Sequence, residues 1–404
     1  MHILLIHQAF ASLAEPGGTR HYEFGKLLAE KGHQVSIIAS AVSYLTGKPE
    51  QLPKFEEQVD GRLRIYRVYT FPSLHKSFFH RLISFFSFMI SSFAKSLTIR
   101  KVDLVWGTSP PIFQSFTAWL VSKYFRKPYM LEIRDLWPAF AIAVGVLKNP
   151  LLINMSVWLE KFLYRNAHTI IVNSPGFIKH ISDNGGKQIQ FIPNGSDILL
   201  FGTPLDTKET RKTLGWSEYF IALYTGAHGI SNDLDVLLEA AHHLRDYPEI
   251  KLVLAGDGKE KANLVMKAND RKLNNVVFMD PLPKNDTPRL IQSADVCIAI
   301  LKPIEWYKTT YPNKVFDYMA AGKPVILAID GVIREVVESA GCGVFSEPGD
   351  AAAMARHILD FYQNRKMIQK MGKMGQDYLK THFERQKIAV KLAEVIEEIG
   401  ITYG

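Results

Sequence analysis

Cysteine is nearly absent: the 404-residue chain has only Cys297 and Cys342. Each sits in an apolar, strand-like run without metal-ligand spacing, so a disulfide framework is excluded and reduced, buried thiols of an intracellular compartment are expected. The first residues, MHILLIHQAF, lack a basic leader and a small-residue cleavage site, and read as a buried strand instead of a signal peptide. No repeat or low-complexity segment stands out. Acidic residues are missing altogether from Gly61 to Val102, and the formal net charge is +8, which favours an anionic partner. Nucleic acid is disfavoured, because that stretch is dominated by long apolar runs and not by basic residues interleaved with stacking aromatics.

Residues 78 to 97 are crowded with Phe, Leu, Ile and Met, flanked by Lys76, Arg81, Lys95, Arg100 and Lys101. On a helix, Ser84, Ser87, Ser91, Lys95 and Thr98 form a polar stripe, with Leu82, Phe86, Met89, Ile90 and Phe93 opposite. The core from Leu82 to Ala94 spans only ~20 Å against ~30 Å of hydrocarbon, too short to cross a bilayer. Two readings of the basic amphipathic stretch at about 76–101 stay open: a helix on an anionic membrane surface, or a core helix with a solvated basic end.

The length suggests two domains of roughly 150 to 200 residues, and two halves that each open strand, glycine loop, helix suggest a pair of Rossmann-like α/β domains. The most informative stretch is TTYPNKVFDYMAAGKPVI, Thr309 to Ile326, a short helix between two apolar strands. Pro312 suits a first turn with Asn313 beside it, Val315, Phe316, Met319 and Ala320 form a buried face, and Lys314 and Asp317 lie on the opposite side, nearer the mouth. Free N–H groups of that turn can hold a phosphate. Asp317 would repel one, so a hydroxyl-rich ribose suits it better. Earlier, Gly17 and Gly18 permit close backbone approach at the start of a helix carrying Thr19 and Arg20.

Strand Tyr129 to Ile133 opens into Arg134-Asp135-Leu136-Trp137-Pro138, charged residues with a rigid corner. Asp135 can take a proton from an attacking hydroxyl, or orient it; the structural alternative is an Arg134–Asp135 pair fixing the loop. Asn194-Gly195 is strong turn chemistry. The Asp233-Leu234-Asp235 triplet begins a helix, where acids complement the macrodipole, so metal binding is not expected there.

The DYMAAGKPV run resembles the nucleotide-sugar signature of the family-4 retaining glycosyltransferases of the GT-B fold, and RDLWP resembles the branch that builds O-antigen and other bacterial surface polysaccharides. Taken with EPGGTR, PNGSD and GDG, the resemblance covers nearly the whole chain in order. It implies two facing Rossmann-like domains with a cleft between them: residues 1–202 for the acceptor, 203–380 for the donor, and 381–404 as a helix returning to the first. In that family a Glu, seven residues and a second Glu precede the AAG ending, and the second Glu binds the donor ribose. Here Asp317 stands second and Thr309 first, with Glu305 or Lys308 on the same loop as substitutes.

The resemblance further implies donor contacts at Gly17, Gly18, Gly226, His228, Gly256, Asp257, Gly258, Pro281, Leu282, Lys308, Asn313 and Asp317. Acceptor contacts would come from Thr19, Arg20, Arg134 and Trp137, and catalysis from Asp135 and Lys314. The loop after the second domain's first strand carries His228 where the family has a cation, so Lys308 and Lys314 are the candidates for holding the diphosphate. The implied activity is metal-independent, retaining transfer of a sugar such as an N-acetylated hexosamine. The donor would be a UDP-sugar and the acceptor a saccharide, expected on polyprenyl diphosphate, at the cytoplasmic face of the plasma membrane. No cofactor is implied. Alternatives are a UDP-sugar 2-epimerase of the same fold and a non-catalytic, membrane-associated scaffold.

Overall fold

The computed structural model describes residues 1–15, 17–43, 49, 53–72 and 78–403; Pro16 and Lys76, quoted above, lie outside the described residues. The chain divides into two compact units, one of residues 1–12, 17–193 and 386–404, the other of residues 13–16 and 194–385.

The first unit is built on eight strands: β1 (His2–His7), β2 (Gln34–Ser40), β3 (Phe55–Gln58), β4 (Leu63–Val68), β5 (Leu104–Ser109), β6 (Tyr129–Ile133), β7 (Thr169–Val172) and β8 (Ile189–Phe191). Their spatial order is β3-β4-β2-β1-β5-β6-β7-β8, parallel except for the β3–β4 pair. Every residue of β1, β5 and β6 is buried, as expected of strands covered on both faces. The strand order reverses between β1 and β5, where Ile3 pairs with Leu104, and ligands of open α/β sheets bind outside the carboxyl ends at such a point. The β3–β4 hairpin carries alternating exposure and was not legible in the sequence.

Three helices, Phe78–Ser96, Ile112–Phe125 and Pro150–Asn166, pack side by side on this sheet. The serine stripe of the first is only partly solvated: Ser84 is buried and Ser87 and Ser91 are half-buried, Ser92 and Ser96 beside it are buried too, and Phe86 and Ile90 face outward. The C-terminal helix, Arg385–Tyr403, lies in this unit from Gln386 onward, where its Glu397 is 3.3 Å from His33.

The second unit holds β9 (Phe220–Thr225), β10 (Ile250–Ala255), β11 (Val276–Met279), β12 (Val296–Ile300), β13 (Val325–Ala328) and β14 (Gly343–Phe345). They are all parallel, in the order β11-β10-β9-β12-β13-β14, with the reversal between β9 and β12. All residues of β12 and β13 are buried, each fully buried branched side chain contributing ~1.5–3 kcal/mol. Both thiols are in this core, and burial pushes Cys342 up to about 12. The boundary falls at Pro193, earlier than the expected 203, because residues 194–202 pack into the second unit: Phe201 is in its core and Ser196 bonds Asp317.

Candidate active site

At the reversal point of the second unit, the loops after β9 and β10 are knitted backbone to backbone. His228 N–H donates to the Asp257 carbonyl at 2.8 Å, and Glu260 N–H to the His228 carbonyl at 2.9 Å. A Cβ built on Gly256 would fall 1.8 Å from the Gly226 carbonyl oxygen, so only glycine permits this approach. Gly258 is constrained likewise, its Cβ position lying 2.5 Å from the His228 carbonyl oxygen.

Helix Asn313–Ala320 starts beside these loops. It sends the Lys314 ammonium to within 3.8 Å of the Tyr224 ring centroid and against Gly226, where a Cβ would be 2.8 Å from Nζ. Lys314 Nζ is buried and has no hydrogen-bond partner. Burial without a counter-charge lowers its pKa to about 7. His228 beside it is also buried, with neither ring nitrogen bonded. Burial, then Lys261 and Lys314, lowers it to about 4, so the ring is neutral. A buried cation with nothing to neutralise it, next to converging backbone, is chemically suited to an anion.

Lys308 does not share that environment. Its Nζ lies 2.8 Å from Glu305 and 3.8 Å from Asp330, and the side chain is exposed, so of the two expected lysines Lys314 is the one placed against the glycine loops. The Thr309 hydroxyl donates to the Trp306 carbonyl at 2.6 Å.

Asp317 departs from its expected orientation toward the mouth, being buried and already engaged. Ser196 Oγ donates to its Oδ1 at 2.6 Å, while Lys284 Nζ at 2.6 Å and Asn313 Nδ2 at 3.1 Å donate to Oδ2. Asn313 is drawn into the same network and also accepts from Arg385 at 3.2 Å. The PNGSD motif thus supplies a ligand to Asp317 instead of forming a bare linker turn, and Asn194 Nδ2 donates to the Tyr311 carbonyl at 2.7 Å. Pro281 and Leu282 follow the edge strand β11, with Leu282 packed on the core. Asp235 is held by Lys267 at 2.7 Å at the start of helix Asp235–His243.

In the first unit, Arg134 makes no ion pair with Asp135. Its guanidinium donates to Thr108 Oγ1 and to the Pro110 carbonyl, both at 3.0 Å, which pins the strand end and turns the guanidinium away from the half-buried Asp135 carboxyl. Burial, opposed by Arg134, raises Asp135 to about 6, a value suited to proton exchange near neutrality. Trp137 packs at 6.1 Å from Phe113. Thr19 and Arg20, expected to meet the acceptor, turn inward. The Thr19 hydroxyl bonds Glu23, and Arg20 donates to Glu132 at 2.8 Å and to the Ile192 carbonyl at 2.7 Å. Gly17 and Gly18 precede them, Gly17 at positive φ with the Ala11 Cβ 3.1 Å from where its own would be.

Two families match in succession. The Glycosyl transferase 4-like domain spans residues 17–195, and Glycosyl transferases group 1 spans residues 206–378. The chain belongs to the group 1 glycosyltransferases. One relative of this transferase is WcaI of Escherichia coli (strain K12), named as a colanic acid biosynthesis glycosyl transferase. It is 23% identical over 383 residues, 91% of this chain and 92% of the relative. Among solved structures, sucrose-phosphate synthase from Thermosynechococcus elongatus superposes with a TM-score of 0.81 at 19% identity, covering 99% of each chain. HepE of Anabaena, solved in complex with UDP-glucose, gives 0.74 at 18% identity, covering 98% of this chain and 100% of its own. These likenesses establish the GT-B fold.

Two groups of residues of the glycosyltransferase were missed in its sequence. Lys284 and Ser196 reach Asp317 across 33 and 121 residues, a distance no local pattern spans. His7, His21 and Glu132 form a buried cluster with Arg20, the two imidazole rings 4.2 Å apart and His21 Nε2 bonded to Glu132. Burial alone would raise the Glu132 carboxyl; the His21 ring and the Arg20 guanidinium outweigh it and hold it far below the usual range. His7 is fully buried with neither nitrogen hydrogen-bonded, and burial, then His21 and Arg134, keep it neutral. A signal existed: Glu132 is the lone charge in an apolar strand and had to be paired.

Proposed function

We propose that the second unit binds a nucleoside diphosphate sugar carrying uridine, and that the transferase moves the sugar with retention of anomeric configuration and without a metal. The acceptor is a saccharide on a polyprenyl diphosphate, in the synthesis of a cell-surface polysaccharide. The observation that carries this reading is the buried, unpartnered Lys314 ammonium against the Gly226 and Gly256 loops. A diphosphate supplies the missing negative charge. The names of WcaI and of HepE with UDP-glucose support the product class and the nucleotide.

In the reaction the bond from the anomeric carbon to the diphosphate oxygen breaks as the acceptor oxygen bonds to that carbon on the same face. The acceptor's proton passes to the departing phosphate, so no strong protein base is required. Lys314 and the converging backbone stabilise charge that grows on the leaving group, the place where preorganised donors act most strongly. Asp135 orients the attacking hydroxyl. Asp317 takes the donor ribose by exchanging one of its three present donors for a ribose hydroxyl.

The test is a panel of UDP-sugars with and without polyprenyl-linked acceptors, in EDTA, comparing wild type with Lys314→Ala and Asp317→Ala, and the product anomer read by NMR. Transfer that survives EDTA, retains the anomer and collapses in both variants supports the proposal. Failure of every UDP-sugar to bind would overturn it, and 2-epimerised sugar appearing without acceptor would replace it.

A further inference from the structure

The three helices on the first unit's sheet invert the usual polarity in part, burying polar side chains beside Phe85, Phe88, Val121 and Leu163 while leaving large apolar side chains outside. Helix Phe78–Ser96 buries Ser84, Ser92 and Ser96 and satisfies two of them internally, Ser92 Oγ donating to the Phe88 carbonyl at 2.6 Å and Ser96 Oγ to the Ser92 carbonyl at 2.7 Å. Its outward stripe is Phe79, Phe86, Ile90 and Leu97, with Ile90 72% exposed. This spacing keeps them on one face. Helix Ile112–Phe125 repeats the inversion: Gln114, Ser115, Thr117 and Ser122 are buried, while Phe113 and Phe116 are partly exposed. Helix Pro150–Asn166 presents Leu151, Met155 and Trp158, the last 63% exposed.

Ring contacts make these stripes one surface. Phe86 lies 5.5 Å from Phe113, Phe116 lies 6.4 Å from Phe162, and Trp158 stacks on Phe162 at 5.4 Å. Phe113 in turn meets Trp137 of the RDLWP segment, so the surface runs up to the candidate acceptor residues. An apolar patch of this extent marks an interaction site.

Charge identifies the occupant. Residues 61–166 contain fifteen Lys and Arg against four acids, of which Glu132 and Glu160 are buried. Each of the three helices joins strands of the parallel order, so their carboxyl ends gather on one side, bringing together Lys95, Arg100, Lys123, Arg126, Lys161 and Arg165. A second copy of the chain would bring the same positive rim against this one. None of the described helices is long and apolar enough to cross a membrane, which leaves lying on one.

We propose that this three-helix face docks on an anionic phospholipid bilayer, with Phe79, Phe86, Ile90, Leu151, Met155 and Trp158 entering the acyl boundary and the basic helix ends meeting the headgroups. The inference deepens the lipid-linked acceptor reading above and rests on it only for the purpose of docking. Vesicle binding needs neither donor nor acceptor, so its outcome is separable from that of the transfer assay.

The experiment is flotation of the full chain with phosphatidylcholine vesicles, with and without a one-third share of phosphatidylglycerol, at low and high salt. Binding should be about tenfold tighter to the anionic vesicles and weaken at high salt. Phe86→Ser with Ile90→Ser, and separately Met155→Ser with Trp158→Ser, should each weaken it about tenfold with unchanged circular dichroism melts. The proposal is overturned if both double variants float like wild type, or if the lipid-free chain is a dimer that these substitutions dissociate.

Discussion

Lys284 and Lys314 are both lysines with buried ammonium groups in the second unit, and each lies over an aromatic ring, Phe201 at 4.6 Å and Tyr224 at 3.8 Å. Only Lys284 has a counter-charge, Asp317 at 2.6 Å. A buried ion that is paired belongs to the folded state, whereas one held without a partner is a cost the fold carries for a ligand. Lys314→Met should therefore cut kcat/KM about a thousandfold, of the order seen when a preorganised charge at a leaving group is removed, while raising the melting temperature by a few degrees. If the variant melts lower than wild type, the distinction between the two lysines fails.

Lys284→Met sharpens the same comparison from the other side. It strands the Asp317 carboxylate in a buried network, and unfolding stability should fall by about 3 kcal/mol, read by urea denaturation. A second change, Asp317→Asn, should restore part of the loss. A loss unaltered by the second change would show that the pair is not the source.

A smaller effect comes from titration. Lys314 has its folded pKa lowered to about 7 from an ordinary 10.5. Between these values the unfolded chain binds the extra proton, so this group's contribution makes stability rise with pH from about 7 upward, and the full penalty is present below. Ligand binding runs oppositely. A diphosphate favours the charged form, so UDP affinity should be flat below about pH 7 and weaken up to tenfold per unit above it, with proton uptake measurable by calorimetry in two buffers. Lys314→Met should abolish both trends, and UDP affinity independent of pH in wild type would remove Lys314 from the site.

Strand positions along the chain were legible because parallel strands buried on both faces must be continuous apolar runs, as ILLI, LVWG and VCIAI are. The glycine loops were legible because close approach needs glycine, as Gly256 shows. What the sequence could not show was which partner a polar residue takes. Asp317 carried the spacing of a ribose ligand, yet its neighbours Lys284 and Ser196 arrive from distant segments, and Arg20 carried the look of an acceptor contact while serving Glu132. Periodicity alone also cannot say which face of an amphipathic helix points inward. Helix Phe78–Ser96 has a polar and an apolar side, and the usual rule assigns the apolar side to the core; here the rule is partly inverted, Ser84, Ser92 and Ser96 being buried beside Phe85 and Phe88, and because Ser92 and Ser96 bond carbonyls one turn back their hydroxyls can be buried without loss.

That inversion is the apolar counterpart of Lys314. An unpartnered cation inside and an unpartnered aromatic stripe outside are both groups whose natural surroundings lie beyond the chain. The smallest expected effect follows from it. A helix packed as its hydropathy suggests would lose ~3 kcal/mol on losing an aromatic side chain from its core face. Phe86→Ser, at a position half open to solvent, should instead change stability by less than about 0.5 kcal/mol in urea. A loss of several kcal/mol would mean that Phe86 is packed in solution against another part of the protein, and that the stripe is a core face after all.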